Sequence, residues 1–196
     1  MPERRIKRTI CPIIFVAFFL LFSTCKQTFS PKPRGYFRID FPKKEYRLYQ
    51  SQCNYTFEYP VYGEIVNYEG DKSEPCWINI EFPAFKGKIY LTYKKVNKNL
   101  ILLTEDIRTL AYKHIIKADD IIENPVDYPD RNVYGIIYDI KGNTASSCNF
   151  YLTDSTNNFL SGALYFNVMP NKDSLAPVIN FFKKDIDHLI ETFEWH

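Results

Sequence analysis

Apolar and polar residues alternate in several short segments, which is the pattern of half-buried β-strands. Residues 54–59 place Tyr55, Phe57 and Tyr59 between polar neighbours and end before a proline. Similar segments lie at 36–41, 62–68, 77–82, 88–95, 133–141, 147–154 and 159–168. Pro42 ends the first of them, as expected of a short edge strand. Segments 77–82 and 88–95 are predicted to form a hairpin, and the last three an antiparallel meander.

Two further segments repeat apolar residues every three or four positions, as amphipathic helices do. The first is expected to begin at a capping Thr104. Its apolar face comprises Ile107, Leu110, Ala111 and Ile115. The second has Ser174 as its capping residue and Pro177 in its first turn. Its apolar stripe comprises Val178, Phe181, Phe182, Ile186, Leu189, Ile190 and Phe193.

These elements predict an α+β fold, in which an antiparallel β-sheet is flanked by two amphipathic helices. The order of a middle helix, a three-strand meander and a closing helix resembles the PsbP/Mog1-like α/β/α sandwich. That resemblance concerns topology, and it carries no function with it.

The first 24 residues have the three parts of a secretory signal. Basic residues lie within positions 4–8, a 13-residue apolar run follows at 10–22, and two small residues precede Cys25. A membrane-spanning helix needs about 20 apolar residues, so this run is too short for a permanent span. The junction resembles the lipobox of bacterial lipoproteins, in which the cysteine is acylated and the signal is cleaved before it.

The lipobox resemblance predicts that Cys25 carries fatty acyl chains such as palmitate, which anchor the mature chain to a membrane. Phe22 and Thr24 depart from the strict pattern, and the alternative is an ordinary signal peptide with an incidental cysteine. We divide the chain into a signal peptide at 1–24, a lipidated N-terminus and tether at 25–35, and a single globular α+β domain at 36–196. An acidic run after the lipidated cysteine would resemble the surface-export signal of some bacterial lipoproteins, and its absence here favours a periplasm-facing position in the cell envelope.

The charge balance argues against a nucleic-acid partner. The whole chain has a formal net charge of +2, but the signal segment contributes four basic residues and one acidic residue. The remaining 172 residues carry 21 basic and 22 acidic groups, a net charge near −1. Nucleic-acid binding needs a dense basic surface, and we therefore expect no nucleic acid.

Three cysteines remain beyond the signal segment and Cys25, in a compartment that favours disulfides. Cys53 precedes the strand segment 54–59 and Cys76 precedes the segment 77–82. Two neighbouring strands would bring these cysteines within bridging distance. We therefore predict a disulfide between Cys53 and Cys76 and a free Cys148, with three buried free thiols as the alternative.

Few residues suggest catalysis. His114 and His188 lie beside apolar helix faces, and the sequence contains no H-E-x-x-H, G-x-S-x-G or phosphate-loop motif. Acidic pairs that could serve a hydrolase are Asp119 with Asp120, Asp127 with Asp130, and Asp185 with Asp187. Such pairs are common on solvated surfaces, and residues two apart on a helix do not face each other. We therefore predict that the protein is not an enzyme and uses no metal or other cofactor.

Seven segments, taken in their order along the chain, resemble the gliding-motility lipoprotein GldD family of Bacteroidetes. They are residues 31–42, 88–94, 112–121, 133–135, 151–155, 162–166 and 190–195. The resemblance implies a component needed for gliding motility and for the associated type IX secretion apparatus, with no catalytic residues to carry over. The family pattern has cysteines at the positions of Cys53 and Cys76, which supports the bridge, whereas Cys148 departs from it.

We therefore expect a non-enzymatic cell-envelope lipoprotein that contacts other gliding-motility or secretion envelope proteins and the membrane through its lipid. The candidate partner contact is the extended segment 31–42, because a Pro-rich strand can add to a partner's sheet edge. Its residues include Pro31, Pro33, Arg34, Gly35, Tyr36 and Arg38. Packing of this segment on its own domain is the alternative. A periplasmic small-ligand or glycan-binding module, using aromatics such as Tyr62, Tyr68 and Trp77, is the second class of function.

Thiol titration tests the predicted bridge. In the unfolded mature protein without reductant, only Cys148 should react among the three cysteines beyond Cys25. All three should react after reduction. Three reactive thiols without reductant would contradict the disulfide.

Overall fold

The computed structural model describes residues 38–50, 52–70 and 74–196. Its strands are β1 (Tyr46–Gln50), β2 (Tyr55–Pro60), β3 (Glu64–Asn67), β4 (Ile78–Phe82), β5 (Gly87–Lys95), β6 (Ala118–Tyr128), β7 (Val133–Gly142), β8 (Ser146–Thr153), β9 (Asn158–Phe166) and β10 (Glu194–Trp195). The α-helices are α1 (Leu100–Tyr112) and α2 (Lys172–Glu191), and short 3-10 helices lie at Pro83–Phe85 and Pro129–Arg131.

Seven strands form one antiparallel sheet in the order β3-β4-β5-β9-β8-β7-β6. The β4–β5 hairpin and the β7–β8–β9 meander agree with the sequence prediction. Strand β5 pairs with β9, although about sixty residues separate them along the chain. Between β5 and β6 the chain passes through α1 to the far edge of the sheet and then returns strand by strand.

The remaining strands form a small sheet in the order β1-β2-β10, again antiparallel. Its central strand buries Tyr55 and Phe57 completely. These aromatic side chains belong to the same core as α2 and one face of the large sheet. The small sheet and α2 therefore together cover that face of the large sheet.

The strand alternation divides the large sheet into two unlike faces. On β5, Ile89 and Leu91 are buried in the main core, while Tyr90 and Thr92 lie on the opposite face beside α1. A second, smaller core forms between Ala111 of α1 and apolar residues of β7. The helices thus lie on opposite faces of an antiparallel sheet, which confirms the predicted α+β class.

A disulfide between Cys53 and Cys76 joins the two sheets, with their Cα atoms 5.9 Å apart. We expected the two cysteines to precede neighbouring strands, but β2 and β4 belong to different sheets. A disulfide between cysteines 23 positions apart stabilises the fold by about 3 kcal/mol, chiefly because it lowers the conformational entropy of the unfolded chain. Cys148 is free and buried, and burial raises the pKa of its thiol to about 12.

The structure corrects the expected strand at 36–41. Residues 36 and 37 lie outside the described residues, and residues 38–41 form no strand. Phe41 instead stacks on Phe181 of α2, with ring centroids 4.4 Å apart. The first strand, β1, begins further along the chain, because Pro42 leaves the preceding residues without a regular ladder.

Both helix starts also differ from the sequence prediction. Helix α1 begins at Leu100 after Asn99, and the Thr104 hydroxyl donates to the Ile101 carbonyl within the helix. Asn171 caps α2, and its side chain accepts a hydrogen bond from the backbone N–H of Ser174. In each case the capping position lies at an asparagine three or more residues before the predicted one.

Candidate functional site

The predicted site residues divide between described and undescribed parts of the chain. Cys25, Pro31, Pro33, Arg34, Gly35 and Tyr36 lie outside the described residues. Arg38 is described, and its guanidinium forms an exposed ion pair with Asp40 at 3.0 Å. Cys53 and Cys76 form the disulfide described above. Three further features stand out in the described ranges: a buried ion cluster, a sheet-face cleft and the exposed surface of α1.

The ion cluster fixes the point where the chain enters the domain. Lys44 lies just before β1, and its ammonium group is 2.7 Å from the carboxylate of Asp185 on α2. Tyr46 and Tyr62 donate hydrogen bonds to the two oxygens of the same carboxylate, at 3.0 and 2.7 Å. Lys44 also donates to the Tyr62 hydroxyl and to the Phe181 carbonyl. Asp185, which is 1% exposed, therefore has both carboxylate oxygens satisfied.

Burial shifts the titration of the groups around Asp185. Desolvation, with smaller effects of the neighbouring carboxylate, raises the pKa of the Tyr46 and Tyr62 hydroxyls well above their usual range. Desolvation lowers the pKa of Lys44, and the Asp185 carboxylate opposes that shift. Tyr62 thus serves the cluster. It is not the exposed aromatic residue that the sequence suggested.

The histidines and acidic pairs take the roles of surface and boundary residues. His188 stacks on Tyr46 with ring centroids 3.6 Å apart, and its ring is 2.7 Å from the Glu58 carboxylate. Burial lowers the pKa of His114. Asp185 lies in the ion cluster while Asp187 is exposed, so these two carboxylates do not face each other.

The other acidic pairs lie at the far edge of the large sheet. Asp119, Asp120 and Asp127 are exposed on the edge strand β6, and Asp130 is exposed in the turn that follows. Asp119 lines a shallow depression with Asp139, whose carboxylate is paired with Lys183. Within the described ranges, no group of three or more His, Cys, Asp or Glu side chains is placed to hold a metal ion.

A cleft of ≈ 700 Å³ opens on the α1 side of the large sheet, over β4 and β5. We call it the aromatic cleft and define it by Tyr68, Trp77, Asn79, Lys88, Tyr90 and Tyr165. The rings of Tyr68 and Trp77 are 5.8 Å apart, and those of Tyr90 and Tyr165 are 5.4 Å apart. The sequence analysis had singled out Tyr68 and Trp77. The alternation of Lys88, Tyr90 and Thr92 along β5 was the available signal for the others.

The polar groups of the aromatic cleft are held in place by their neighbours. The Trp77 indole donates to the Tyr93 carbonyl at 2.9 Å, which fixes the ring. Lys88 forms an ion pair with Glu81 at 3.0 Å, which neutralises its charge. Asn79 is 7% exposed, and its Oδ1 atom has no hydrogen-bond partner in the described part of the structure.

Helix α1 and the turn after it expose large apolar side chains. Ile101 and Leu102 are 81% and 62% exposed at the start of α1. Ile115 and Ile116, just beyond its end, are 59% and 91% exposed. The opposite face of α1 packs on β8 and β9, with Ala111 fully buried. In the ranges that the structure describes, no helix is long and apolar enough to cross a membrane.

These features define an α+β sandwich domain whose N-terminal entry is fixed by a buried ion cluster and whose outer sheet face is partly open. The profile of the family described as "Gliding motility lipoprotein GldD" matches residues 26–195. The chain belongs to this family of gliding-motility lipoproteins. Membership implies a role in gliding motility and suggests a membrane-anchored position in the cell envelope.

One comparison with solved structures concerns the fold. The chain is similar to the solution structure of cyanobacterial PsbP (CyanoP) from Synechocystis sp. PCC 6803. The TM-score is 0.49 and the sequence identity 10%, over 90% of this chain and 99% of that chain. No curated protein matches the sequence.

The ion cluster predicts how stability depends on alkaline pH. Unfolding returns the hydroxyls of Tyr46 and Tyr62 to an ordinary pKa near 10, so above pH 10 the unfolded chain loses protons that the folded chain keeps. The tyrosine contribution is complete below pH 10 and is lost as the pH rises above it. The contribution of Lys44 to stability changes with pH in the opposite direction, because its lowered pKa makes stability increase as the pH approaches 10.5.

Tyr62→Phe removes one of the two tyrosine contributions. The free energy of unfolding, measured by urea denaturation between pH 8 and 11.5, should fall less steeply above pH 10 in this variant than in the wild type. Tyr134→Phe, on β7 outside the cluster, is the control and should keep the wild-type slope. Equal slopes in Tyr62→Phe and the wild type would contradict the assignment.

Proposed function

We propose that this protein is a non-enzymatic lipoprotein of the cell envelope that supports gliding motility and the associated type IX secretion apparatus through protein contacts. Acylation of Cys25 anchors it, and the domain faces the periplasm. Family membership supports the gliding role. The observation that carries the protein-contact part of the proposal is the apolar surface of α1 and the turn after it.

Exposure of that apolar surface to water is unfavourable in free energy. Exposed apolar area costs about 25 cal/mol per Å² relative to burial, and Ile101 and Ile116 are more than four-fifths exposed. The exposed side chains form two apolar pairs, one at the start of α1 and one in the turn after it, and exposed apolar patches are typical of surfaces that are covered in an assembly. The occupant we propose is an apolar surface of another envelope protein of the same apparatus. Membrane anchoring raises the local concentration of such a partner.

The tether supplies the second proposed contact. The segment 31–42 is rich in proline, and its residues before Ile39 can pair with a sheet edge of the partner, whereas Ile39 and Phe41 pack on the protein's own core. Arg38 is described by the structure, and its side chain is 90% exposed. The ion cluster at Lys44 and the packing of Phe41 on α2 fix the last residues of this segment on the domain.

Crosslinking on intact cells tests the contact through α1. Replacing Ile101 and Ile116 together with lysine should reduce crosslinks to envelope proteins several-fold, because a charge cannot enter an apolar interface without loss of affinity. Protein amount and thermal stability should stay unchanged, since both side chains are exposed. The matched control is Met169→Lys, an equivalent change at a residue that is 88% exposed elsewhere. Unchanged crosslinks in the double variant would contradict a contact at α1.

Cell fractionation tests the anchor and the tether. Cys25→Ser should move the protein out of the membrane fraction, because acyl chains contribute about 0.8 kcal/mol per buried CH₂. Deletion of residues 31–35, with Cys25 kept, should leave the protein in the membrane fraction and reduce its crosslinks. Membrane retention of Cys25→Ser would contradict the anchor. Full crosslinking by the deletion variant would contradict the tether contact.

A further inference from the structure

We propose that the aromatic cleft binds a neutral carbohydrate chain. This binding does not depend on the family's role in gliding motility.

The shape of the cleft suits a ligand with apolar faces and polar edges. Two pairs of aromatic rings, Tyr68 with Trp77 and Tyr90 with Tyr165, lie beside the polar side chains of Asn79 and Lys88. A pyranose ring shows C–H groups on its faces and hydroxyls around its rim, which matches this combination. The volume of ≈ 700 Å³ falls in the range of about 300–1,000 Å³ that is typical of small-molecule sites.

The charge of the cleft favours a neutral ligand. Lys88 is the lysine of the cleft, and Glu81 holds its ammonium group at 3.0 Å. The pair leaves no excess positive charge to attract a phosphate or a carboxylate. A uronate chain or a phosphorylated ligand would therefore gain little from this site.

Asn79 supplies the observation that points to a missing partner. Its side chain lines the cleft and is 93% shielded from solvent, yet its Oδ1 atom has no hydrogen-bond partner among the described residues. A buried oxygen without a partner costs about 1–3 kcal/mol, a cost that structures rarely leave uncompensated. The Oδ1 atom is itself shielded from solvent, and rotation of the terminal amide, which exchanges its oxygen and nitrogen, would turn the oxygen toward a hydroxyl in the cleft.

The position of the cleft on the sheet makes a carbohydrate a better match than an extended peptide. Strand β4 pairs with β3 on one side and with β5 on the other, so its backbone groups are used within the sheet. A peptide that adds to a sheet needs a free edge. Recognition in this cleft therefore depends on side chains, as carbohydrate recognition does.

Calorimetric titration of the full protein in lipid nanodiscs tests the proposal. The probes are cellotetraose, chitotetraose and β-1,4-mannotetraose, with tetragalacturonate as the anionic control and decaproline as the peptide control. At least one neutral tetrasaccharide should bind, and the two controls should not. Binding by none of the three neutral probes overturns the proposal, and so does binding of decaproline or tetragalacturonate in their place.

Variants separate a ligand role from a structural one. Asn79→Leu should weaken binding about tenfold or more while the unfolding midpoint stays equal or rises, because the unpaired oxygen is removed. Tyr90→Ala should also weaken binding, and Tyr134→Ala on the same sheet should not. If Asn79→Leu or Tyr90→Ala fails to fold, Tyr68→Ala at the rim carries the test, because this residue lies outside the strands. Wild-type affinity in the folded cleft variants would overturn the site.

Discussion

The width of the large sheet is the constraint on which the rest of the structure depends. Seven strands spaced about 4.8 Å apart span roughly 29 Å, whereas one helix with its side chains is about 10 Å wide. On the main-core face, α2 and the small sheet divide this width between them. On the opposite face, α1 packs on β8 and β9. The single helix α1 cannot cover the remaining width of this face. The aromatic cleft lies over the strands that α1 leaves uncovered.

The uncovered face explains the mixture of residues found there. A face covered by a helix would need apolar side chains, but Tyr68, Lys88 and Tyr165 are half-exposed and polar or amphipathic. Tyrosine and tryptophan can lie with a ring in contact with protein and a polar atom in reach of a partner. The composition of this face therefore fits a surface that stays accessible.

The small sheet and α2 depend on a different interaction. A disulfide joins the small sheet to the start of β4, and the carboxylate of Asp185 joins α2 to Lys44. Removing one partner from a buried ion pair costs more than the pair itself contributes, because the remaining charge stays desolvated. The ion pair lies at the Pro60 end of β2 and the disulfide lies at the Tyr55 end, so the two links hold the small sheet at both ends.

Strands in which apolar and polar residues alternate throughout could be predicted from the sequence. Strands that lack this alternation were missed. Strands β5 and β8 were predicted because buried apolar residues recur at every second position. Strand β6 carries Asp119, Asp120 and Pro125 and is mostly exposed, so it shows no alternation, although a proline is tolerated at an edge. The ion cluster was also missed, because the partners Lys44 and Asp185 are far apart in sequence. Asn79 could not be distinguished from other polar strand residues without knowing which face α1 covers.

The central claim is that α1 leaves part of the sheet face open for a neutral carbohydrate. A crystal structure of the mature protein grown with a neutral tetrasaccharide tests it most directly. We expect sugar rings against Trp77 and Tyr90, with a sugar hydroxyl hydrogen-bonded to the Asn79 amide. A cleft that is filled by the protein's own residues 26–37, or closed by movement of α1, would contradict it.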